Sequence, residues 1–172
     1  MSESSSNKKP KQSPSLKARA LRLLSLREYS RKGLATKLAE SEARWGKLGG
    51  DQAEQTPESR DSQIEAVLDD FEARGWLSDQ RFAEALVRRR SERFGTRKIQ
   101  DELAQAGVDS SKTADLLKNL KETEYQRAHE LWLRKFGALA VEQKERARQY
   151  RFLASKGFSL DVVSKVVAGR PD

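Results

Sequence analysis

Residues able to do acid–base chemistry form no catalytic arrangement that the sequence reveals. His129 is the only histidine, and it stands beside Leu131 and Trp132 with no Asp or Glu placed by the sequence to orient it. Neighbouring carboxylates occur at Asp69-Asp70 and Asp101-Glu102, but adjacent helical residues point about 100° apart and cannot converge on one atom. A packed or solvated side chain is therefore the favoured interpretation of His129, and no catalytic residue is predicted.

Patterns that bind metals or nucleotides are also missing from the sequence. The chain contains no cysteine, which excludes disulfides and thiolate metal sites. Neither the GxxxxGK[ST] phosphate loop nor the GxGxxG turn occurs. We therefore predict a protein that is not an enzyme and that uses no cofactor and no metal. No apolar run approaches the roughly 20 residues of a membrane-spanning helix, so no membrane partner is expected.

Basic side chains form the strongest chemical signal. The chain has 34 Lys and Arg against 26 Asp and Glu, which favours nucleic acid, an acidic protein face or an anionic membrane as partner. Residues 8–37 contain ten basic residues and one acid, whereas residues 42–79 contain four basic residues and ten acids. Residues 127–156 are basic again. This layout indicates a partner of mixed charge, and a set of solvated helix faces is the alternative interpretation.

The candidate binding residues lie in two basic runs, "RRRSERFGTRK" and "RARQYR". They are Arg88, Arg89, Arg93, Arg97, Lys98, Arg146, Arg148 and Arg151. We expect these side chains to be exposed and to contact phosphates or the carboxylates of a partner protein. A solvated face without a partner is the alternative for each run.

Arg90 differs from these arginines because it falls on the apolar side of its predicted helix. With Phe82 at zero and 100° per residue, Phe94 lies at about 120° and Arg90 at about 80°, inside the apolar arc. A buried guanidinium without a partner is costly. We therefore predict a structural ion pair with Glu102, or failing that Asp101, on the next helix. Contact with a partner at the helix end is the alternative.

Helices are the elements that this composition and periodicity favour, and the predicted fold class is all-α. Ala, Leu, Glu, Lys and Arg dominate, and the four prolines interrupt no periodic segment. The stretch from Arg44 to Ser62 is rich in Gly, Gln, Ser and acids, and is predicted to be a long exposed loop. The Ser, Lys and Pro content of residues 1–15 predicts a disordered basic tail.

A Leu-Ala step recurs three times and indicates an internal repeat. It begins at Leu38, Leu103 and Leu153, and the loop at 44–62 explains why the first spacing is longer than the second. We predict three tandem three-helix repeats at 16–76, 77–120 and 121–168. Because short helices cannot bury their apolar stripes alone, the repeats should pack into an elongated, curved array.

Glycines and caps mark the predicted helix ends. In the first repeat one helix starts near Leu16, the second is capped by Ser30, and the third stops at Gly75. The other repeats are predicted to contain the helices Asp79–Phe94, Thr96–Ala106, Asp109–Leu120, Glu122–Phe136, Val141–Lys156 and Ser159–Val167. The predicted stops between them are Gly95, Gly107, Gly137 and Gly157.

Five segments of the sequence, in the order in which they occur along the chain, resemble the RecX family of recombination regulators. "LSLREYSRKGLATKLAE" and "VLDDFEARG" are similar to the opening repeat of the family. "GWLSDQRFAEALVRRR", "GTRKIQDELAQAGV" and "RQYRFLASKGFSLDVVSKVV" continue the resemblance. It covers roughly Leu16 to Val167, and the segment Gly75–Ala83 carries its more specific motif.

The resemblance implies three tandem three-helix repeats in a cytoplasmic bacterial protein that binds the RecA recombinase. It further implies a position in the groove of the RecA filament on DNA, where the protein blocks filament growth and damps ATPase, strand-exchange and coprotease activities. We accordingly expect a monomer that acts in DNA repair, recombination and the SOS response. Single-stranded DNA is an expected partner, and double-stranded DNA is a further one.

Two other functions fit the sequence. "GTRKIQDELAQAGVDSSKTADLL" combines short helices, a glycine turn and basic residues, as in a helix-turn-helix module that acts directly on DNA. A structural adaptor is the third possibility. The acidic block at 42–79 has no use in a protein that binds only duplex DNA, and it therefore favours a partner that includes protein.

Overall fold

The computed structural model describes residues 14–47 and 56–172, and this part of the chain is all-helical as predicted. It contains nine α-helices, one 3-10 helix at Ser110–Lys112, and no β-strand. The α-helices are α1 (Leu16–Leu26), α2 (Arg31–Lys47), α3 (Pro57–Ala73), α4 (Asp79–Arg90), α5 (Thr96–Gln105), α6 (Ala114–Glu122), α7 (Glu124–Phe136), α8 (Gln143–Ser155) and α9 (Leu160–Val167). None of these helices has the length and apolar character needed to cross a membrane.

Two compact units make up the chain, and the first contains α1, most of α2, and α3. Its core includes Leu38 of the first Leu-Ala step, which is fully buried together with Leu34, Leu68 and Phe71. Arg19 of α1 donates to Ser41 Oγ at 2.8 Å and forms an ion pair with the buried Glu42 of α2. The apolar stripes of the three helices therefore face one another. The contacts of Arg19 with Ser41 and Glu42 orient α1 on α2.

A carboxylate at the end of α3 is held by two cations. Arg74 donates to Asp70 Oδ1 at 2.9 Å, and Lys17 of α1 donates to Asp70 Oδ2 at 3.2 Å. The hydrogen bond from Arg74, followed by that from Lys17, holds the pKa of Asp70 below its usual range. This pairing ties the start of α1 to the end of α3.

The loop predicted at Arg44–Ser62 is too long at both ends. α2 continues through Lys47, and α3 already begins at Pro57. Thr56 Oγ1 accepts a hydrogen bond from Ser59 N at 3.2 Å, and Pro57 at the first helical position has no N–H that would need a partner. Thr56 and Pro57, which lie inside the predicted loop, thus start a helix. The remainder of the stretch lies outside the described residues.

Ser15, the last residue of the predicted tail, caps α1. Its Oγ accepts a hydrogen bond from Ala18 N at 3.2 Å, which satisfies one of the free donors at the helix start. Residues 1–13 of the tail lie outside the described residues.

The second unit comprises residues 28–33 and 77–172. It holds two apolar clusters, one in the three helices α4–α6 and one in the three helices α7–α9, which we name the middle bundle and the last bundle. The middle cluster consists of Ala83, Leu86, Ile99, Leu103, Val108 and Leu120. The last cluster consists of Ala128, Trp132, Leu153, Phe158, Val163, Val166 and Val167. The remaining two leucines of the Leu-Ala step, Leu103 and Leu153, are thus core residues.

The first turn of α2 belongs to this second unit. Ser30 Oγ accepts a hydrogen bond from Gly33 N at 3.0 Å, so Ser30 caps α2 as predicted. Arg31 N donates to Asp79 Oδ1 at 2.7 Å, and Glu28 accepts from Arg81 Nε at 3.0 Å. These contacts attach the chain before α2 to the start of α4.

The helix predicted at Asp79–Phe94 ends four residues early, at Arg90. Arg93 N and Phe94 N both donate to Arg90 O at 3.0 Å, so the chain turns there, and Gly95 N donates to Lys156 O at 2.9 Å. Contact with a distant segment therefore overrides the helical periodicity of this sequence. Phe94 lies outside α4, and its position on the helical projection was wrong.

The other helix ends differ from the predictions for local reasons. Asp109 Oδ1 accepts from Ser111 N at 2.8 Å and starts a 3-10 helix, so the helix predicted at Asp109–Leu120 becomes this turn followed by α6. Thr123 separates α6 from α7 and donates from Oγ1 to Asn119 O at 2.9 Å. α8 and α9 begin two residues and one residue later than predicted.

Candidate partner-binding surface

All eight basic residues that the sequence assigns to binding are exposed. In the middle bundle, Arg88, Arg89, Arg93, Arg97 and Lys98 occupy the last turn of α4, the following turn and the first turn of α5. In the last bundle, Arg146, Arg148 and Arg151 lie on α8. Each side chain is therefore accessible to a partner molecule.

Helix dipoles separate these cations into two kinds. Arg88 and Arg89 lie in the last turn of α4, where positive charge is favourable by roughly 0.3–1 kcal/mol. Arg97 and Lys98 lie in the first turn of α5, where positive charge is unfavourable and where α5 itself supplies no acid. The helix dipole thus favours the first pair and disfavours the second pair.

Phe94 is the centre of a group of cations. Its ring centroid lies 5.1 Å from Arg90 Cζ, 6.0 Å from Arg93 Cζ, 4.9 Å from Lys98 Nζ and 5.5 Å from Lys156 Nζ. Three of these residues belong to the middle bundle, whereas Lys156 follows α8 in the last bundle. The structure therefore gathers positive charge from both bundles around one half-buried ring.

A second phenylalanine extends this group. Lys156 Nζ also lies 5.5 Å from the ring centroid of Phe152, and Lys135 Nζ lies 5.8 Å from the same centroid. Phe152 packs edge-to-face against Phe136 at 5.3 Å. We name the cation–aromatic cluster as the set Arg93, Lys98, Lys135, Lys156, Phe94 and Phe152.

Sequence reasoning misses Lys135 and Lys156 as members of a site. In the sequence Lys156 marks only a helix end, and Lys135 is one of many basic residues in the segment 127–156. The spacing of a cation near an aromatic residue, as in Phe152 and Lys156, is an available signal. Only the packing of the two bundles brings Lys156 beside the ring of Phe94.

Backbone contact between Gly95 and Gly157 brings the two halves of the cluster together. Gly95 N donates to Lys156 O at 2.9 Å, and a Cβ on Gly95 would lie 2.2 Å from Gly157 O. Gly157 has φ +87°, in the left-handed region that favours glycine. Such close approach of two chain segments is possible only without side chains at these positions.

Arg127 of α7 fastens the same junction by satisfying carbonyls of the middle bundle. Its Nη1 donates to Ser91 O at 2.8 Å and to Phe94 O at 2.7 Å, and its Nη2 donates to Leu120 O at 2.7 Å. Burial lowers the pKa of the Arg127 guanidinium, and the charge of Glu124 opposes this shift. An arginine guanidinium is not deprotonated in proteins, so the group holds these carbonyls as a cation.

Glu124 supplies a second polar contact at the junction. This buried carboxylate accepts a hydrogen bond from Thr96 N at 2.9 Å, at the first residue of α5. α7 therefore provides both an acid for the start of α5 and a cation for the carbonyls around it.

The structure also brings Arg90 and Glu102 together. Arg90 Nε donates to Glu102 Oε2 at 3.1 Å, with side-chain exposures of 38% and 23%. Although the helical projection places Arg90 on the apolar side, the guanidinium is not deeply buried, because α4 ends at Arg90 and the side chain passes along the surface over Phe94. The pair is thus a half-exposed link between α4 and α5.

Mutating this pair should have a small, measurable effect. Because solvent screens a half-exposed pair, we expect a coupling energy of no more than about 1 kcal/mol between Arg90→Ala and Glu102→Ala. Urea unfolding of the two single variants and the double variant measures this energy. The more exposed pair Arg148–Glu145, at 3.4 Å, is the control and should couple more weakly. Strictly additive effects at Arg90 and Glu102 would show that the contact contributes nothing to stability.

The three arginines of α8 do not act as one group. Arg146 and Arg151 line a groove between α8 and α9 of about 440 Å³, together with Tyr150 and Val167. Arg148 instead bonds Glu145 at 3.4 Å, so part of its charge is offset within its own helix. The groove residues are consequently the stronger binding candidates on α8.

The histidine singled out by the sequence packs against aromatic side chains of its own helix. His129 lies between two aromatic rings, with centroid distances of 6.1 Å to Tyr125 and 5.5 Å to Trp132. This agrees with the interpretation of His129 as a packed side chain. Across residues 14–47 and 56–172, no group of His, Asp and Glu side chains is arranged to hold a metal ion.

Comparison with known proteins relates the sequence to a group of bacterial regulators. Family models described as "RecX, second three-helix domain" and "RecX, third three-helix domain" match residues 78–117 and 122–167. The chain is 47% identical over 153 residues to the regulatory protein RecX of Leptothrix cholodnii, covering 89% of this chain and 87% of that protein. It is 44% identical over 145 residues to regulatory protein RecX of Herminiimonas arsenicoxydans, covering 84% and 85%.

Solved structures share the fold at lower identity. The crystal structure of RecX from Lactobacillus salivarius superposes with a TM-score of 0.65 at 18% identity, covering 90% of this chain and 93% of that one. At this identity the likeness concerns the fold alone.

Proposed function

The chain belongs to the RecX family of regulatory proteins, and from this premise we propose that it binds RecA filaments on DNA and inhibits their ATPase, recombinase and coprotease activities. The observation that carries the proposal is 47% identity across 89% of the chain to a regulatory protein RecX. The proposed setting is the bacterial cytoplasm, where the protein would act as a monomer in DNA repair and the SOS response.

The exposed cations of the candidate surface are a second argument for this proposal. A RecA filament on DNA presents both phosphates and protein carboxylates, and either group is a ligand for Arg88, Arg89, Arg93, Arg97 and Lys98. Charge complementarity of this kind raises the association rate and orients the partners. Glu124 already places one carboxylate at the start of α5, and a phosphate or carboxylate of the partner would supply further negative charge beside Arg97 and Lys98.

Inhibition of the RecA ATPase tests the proposed function. We expect the purified protein to lower ATP hydrolysis by RecA on single-stranded DNA in a concentration-dependent way. The variant Arg89→Glu/Arg93→Glu should need a higher concentration for the same inhibition, because it repels phosphates and carboxylates. The control variant Lys118→Glu/Lys121→Glu makes the same change of charge on exposed residues of α6 and should inhibit like the parent. Absence of inhibition by the parent, even in excess over RecA, would disprove the proposal.

A module that acts on DNA alone is the second candidate function. The observation in its favour is the cation–aromatic cluster, since exposed cations beside aromatic rings are typical of nucleic-acid surfaces. Such a module would bind DNA with an affinity that RecA does not change. A regulator of RecA would gain affinity when RecA is added at constant DNA concentration.

A further inference from the structure

We propose that the cation–aromatic cluster is a binding site for single-stranded DNA, in which Arg93, Lys98, Lys156 and Lys135 hold successive phosphates of one strand. The inference deepens the proposed function, on which it rests for the identity of the strand as DNA. It assigns direct contact with the strand to the junction of the middle and last bundles.

Charge is the first argument for a polyanion at this place. Arg93, Lys98 and Lys156 come from three separate segments and lie within 6.0 Å of one ring centroid. Within the described part of the chain, none of the three forms an ion pair with a carboxylate. Cation–π contact at an exposed site contributes about 0.5–1 kcal/mol but leaves the positive charge in place. The gathered charge is therefore available to an external anion.

The arrangement of the cations favours a strand over a single anion. Lys156 contacts both rings, and Lys135 lies beyond Phe152, so the positive groups follow one another from α5 across the junction to α7. A flexible strand can place successive phosphates along such an irregular row, whereas a straight duplex presents its phosphates at fixed positions.

The junction holds this row in place before any ligand binds. Gly95 and Gly157 fix the backbone beside Lys98 and Lys156, and Arg127 bonds Phe94 O at 2.7 Å. Binding then requires ordering of the side chains but no rearrangement of the two bundles, which lowers the entropic cost of association. The site is consequently built from two bundles and exists only when both are folded.

Binding of oligo(dT) without RecA tests the inference. The probe is a fluorescein-labelled strand of about 20 nucleotides, long enough for a site of the usual size, and the readout is anisotropy across a series of NaCl concentrations. We expect Lys98→Gln/Lys156→Gln to weaken binding and to reduce the slope of log K against log salt by about 1.4, since each phosphate contact on a single strand contributes about 0.7.

Two controls accompany this measurement. Lys118→Gln/Lys121→Gln removes the same charge from exposed residues of α6 and should retain the parental slope. Glutamine keeps the Cβ of Lys98, which lies close to Gly157, so the cluster variant should lose only about 0.5–1 kcal/mol for each cation–π contact and should remain folded in the urea-free binding assay. A cluster variant with the parental slope, or an equal loss in the α6 variant, would overturn the inference.

Parallel assays of RecA inhibition separate this inference from the proposed function. Loss of oligo(dT) binding with inhibition retained would support the site and leave the regulation of RecA intact. Loss of inhibition with unchanged oligo(dT) binding would show that the cluster contacts protein, and the inference would fail while the proposed function stands. Equal binding of a duplex competitor would overturn the preference for a single strand. Oligo(dT) binding that depends on the cluster, in a protein that never inhibits RecA, would support the site and refute the proposed function.

Discussion

Replacing Gly95 by alanine is expected to lower the free energy of unfolding by about 3 kcal/mol, at the upper end of the usual cost of overpacking. The added Cβ would lie 2.2 Å from both Gly157 O and Phe158 N. Both atoms are backbone, so no change of side-chain rotamer can relieve the overlap. The two segments would have to separate, and the hydrogen bond from Gly95 N to Lys156 O would be lost.

Urea unfolding followed by circular dichroism measures this effect, and Gly46→Ala is its matched control. Gly46 lies in α2, and a Cβ added there would meet no atom within 4 Å. Alanine there should stabilise the helix by about 0.5–1 kcal/mol, because it reduces the entropy lost on folding. A Gly95→Ala protein as stable as the parent would mean that the two segments are not in contact in solution.

Truncating the core leucines of the two bundles should cost a similar amount. Leu153 is fully buried in the last cluster, and Leu103 is 2% exposed in the middle cluster. Each Leu→Ala change removes apolar contacts and leaves a cavity, so we expect a loss of about 2–5 kcal/mol for each. Urea unfolding of the single variants gives the values.

An exposed apolar residue provides the comparison for these core changes. Val141 is 93% exposed, and Val141→Ala should change the free energy of unfolding by less than about 0.5 kcal/mol. If Leu103→Ala or Leu153→Ala matched this small change, the leucine concerned would not be part of a packed core.

Much of the helical fold was predictable because its determinants are local. Leu38, Leu103 and Leu153 share a repeated Leu-Ala step, and all three are buried. Ser30 stands before an apolar stripe, and its hydroxyl caps α2. The end of α4 was not predictable, because a hydrogen bond from Gly95 to Lys156, 61 positions later in the sequence, sets it.

The candidate site was predictable only in part, for the same reason. Exposure of the eight chosen cations followed from their runs along helices. The contact between Arg90 and Glu102 followed from the position of Arg90 on the helical projection, which required a partner for its guanidinium. Lys135 and Lys156 join the cluster through the packing of one bundle on another, and helical periodicity contains no information on that packing.

The bonds of Arg127 have a consequence for the order in which this chain folds. Ser91 O, Phe94 O and Leu120 O receive their donors from a residue of α7, so the middle bundle is incomplete while the nascent chain still lacks that helix. Native-state openings should therefore involve both bundles together. In a hydrogen-exchange experiment, the amides of α5 should show nearly the same free energy of opening as the amides of α8. The boundary between the second and third predicted repeats would then lie inside a single cooperative unit.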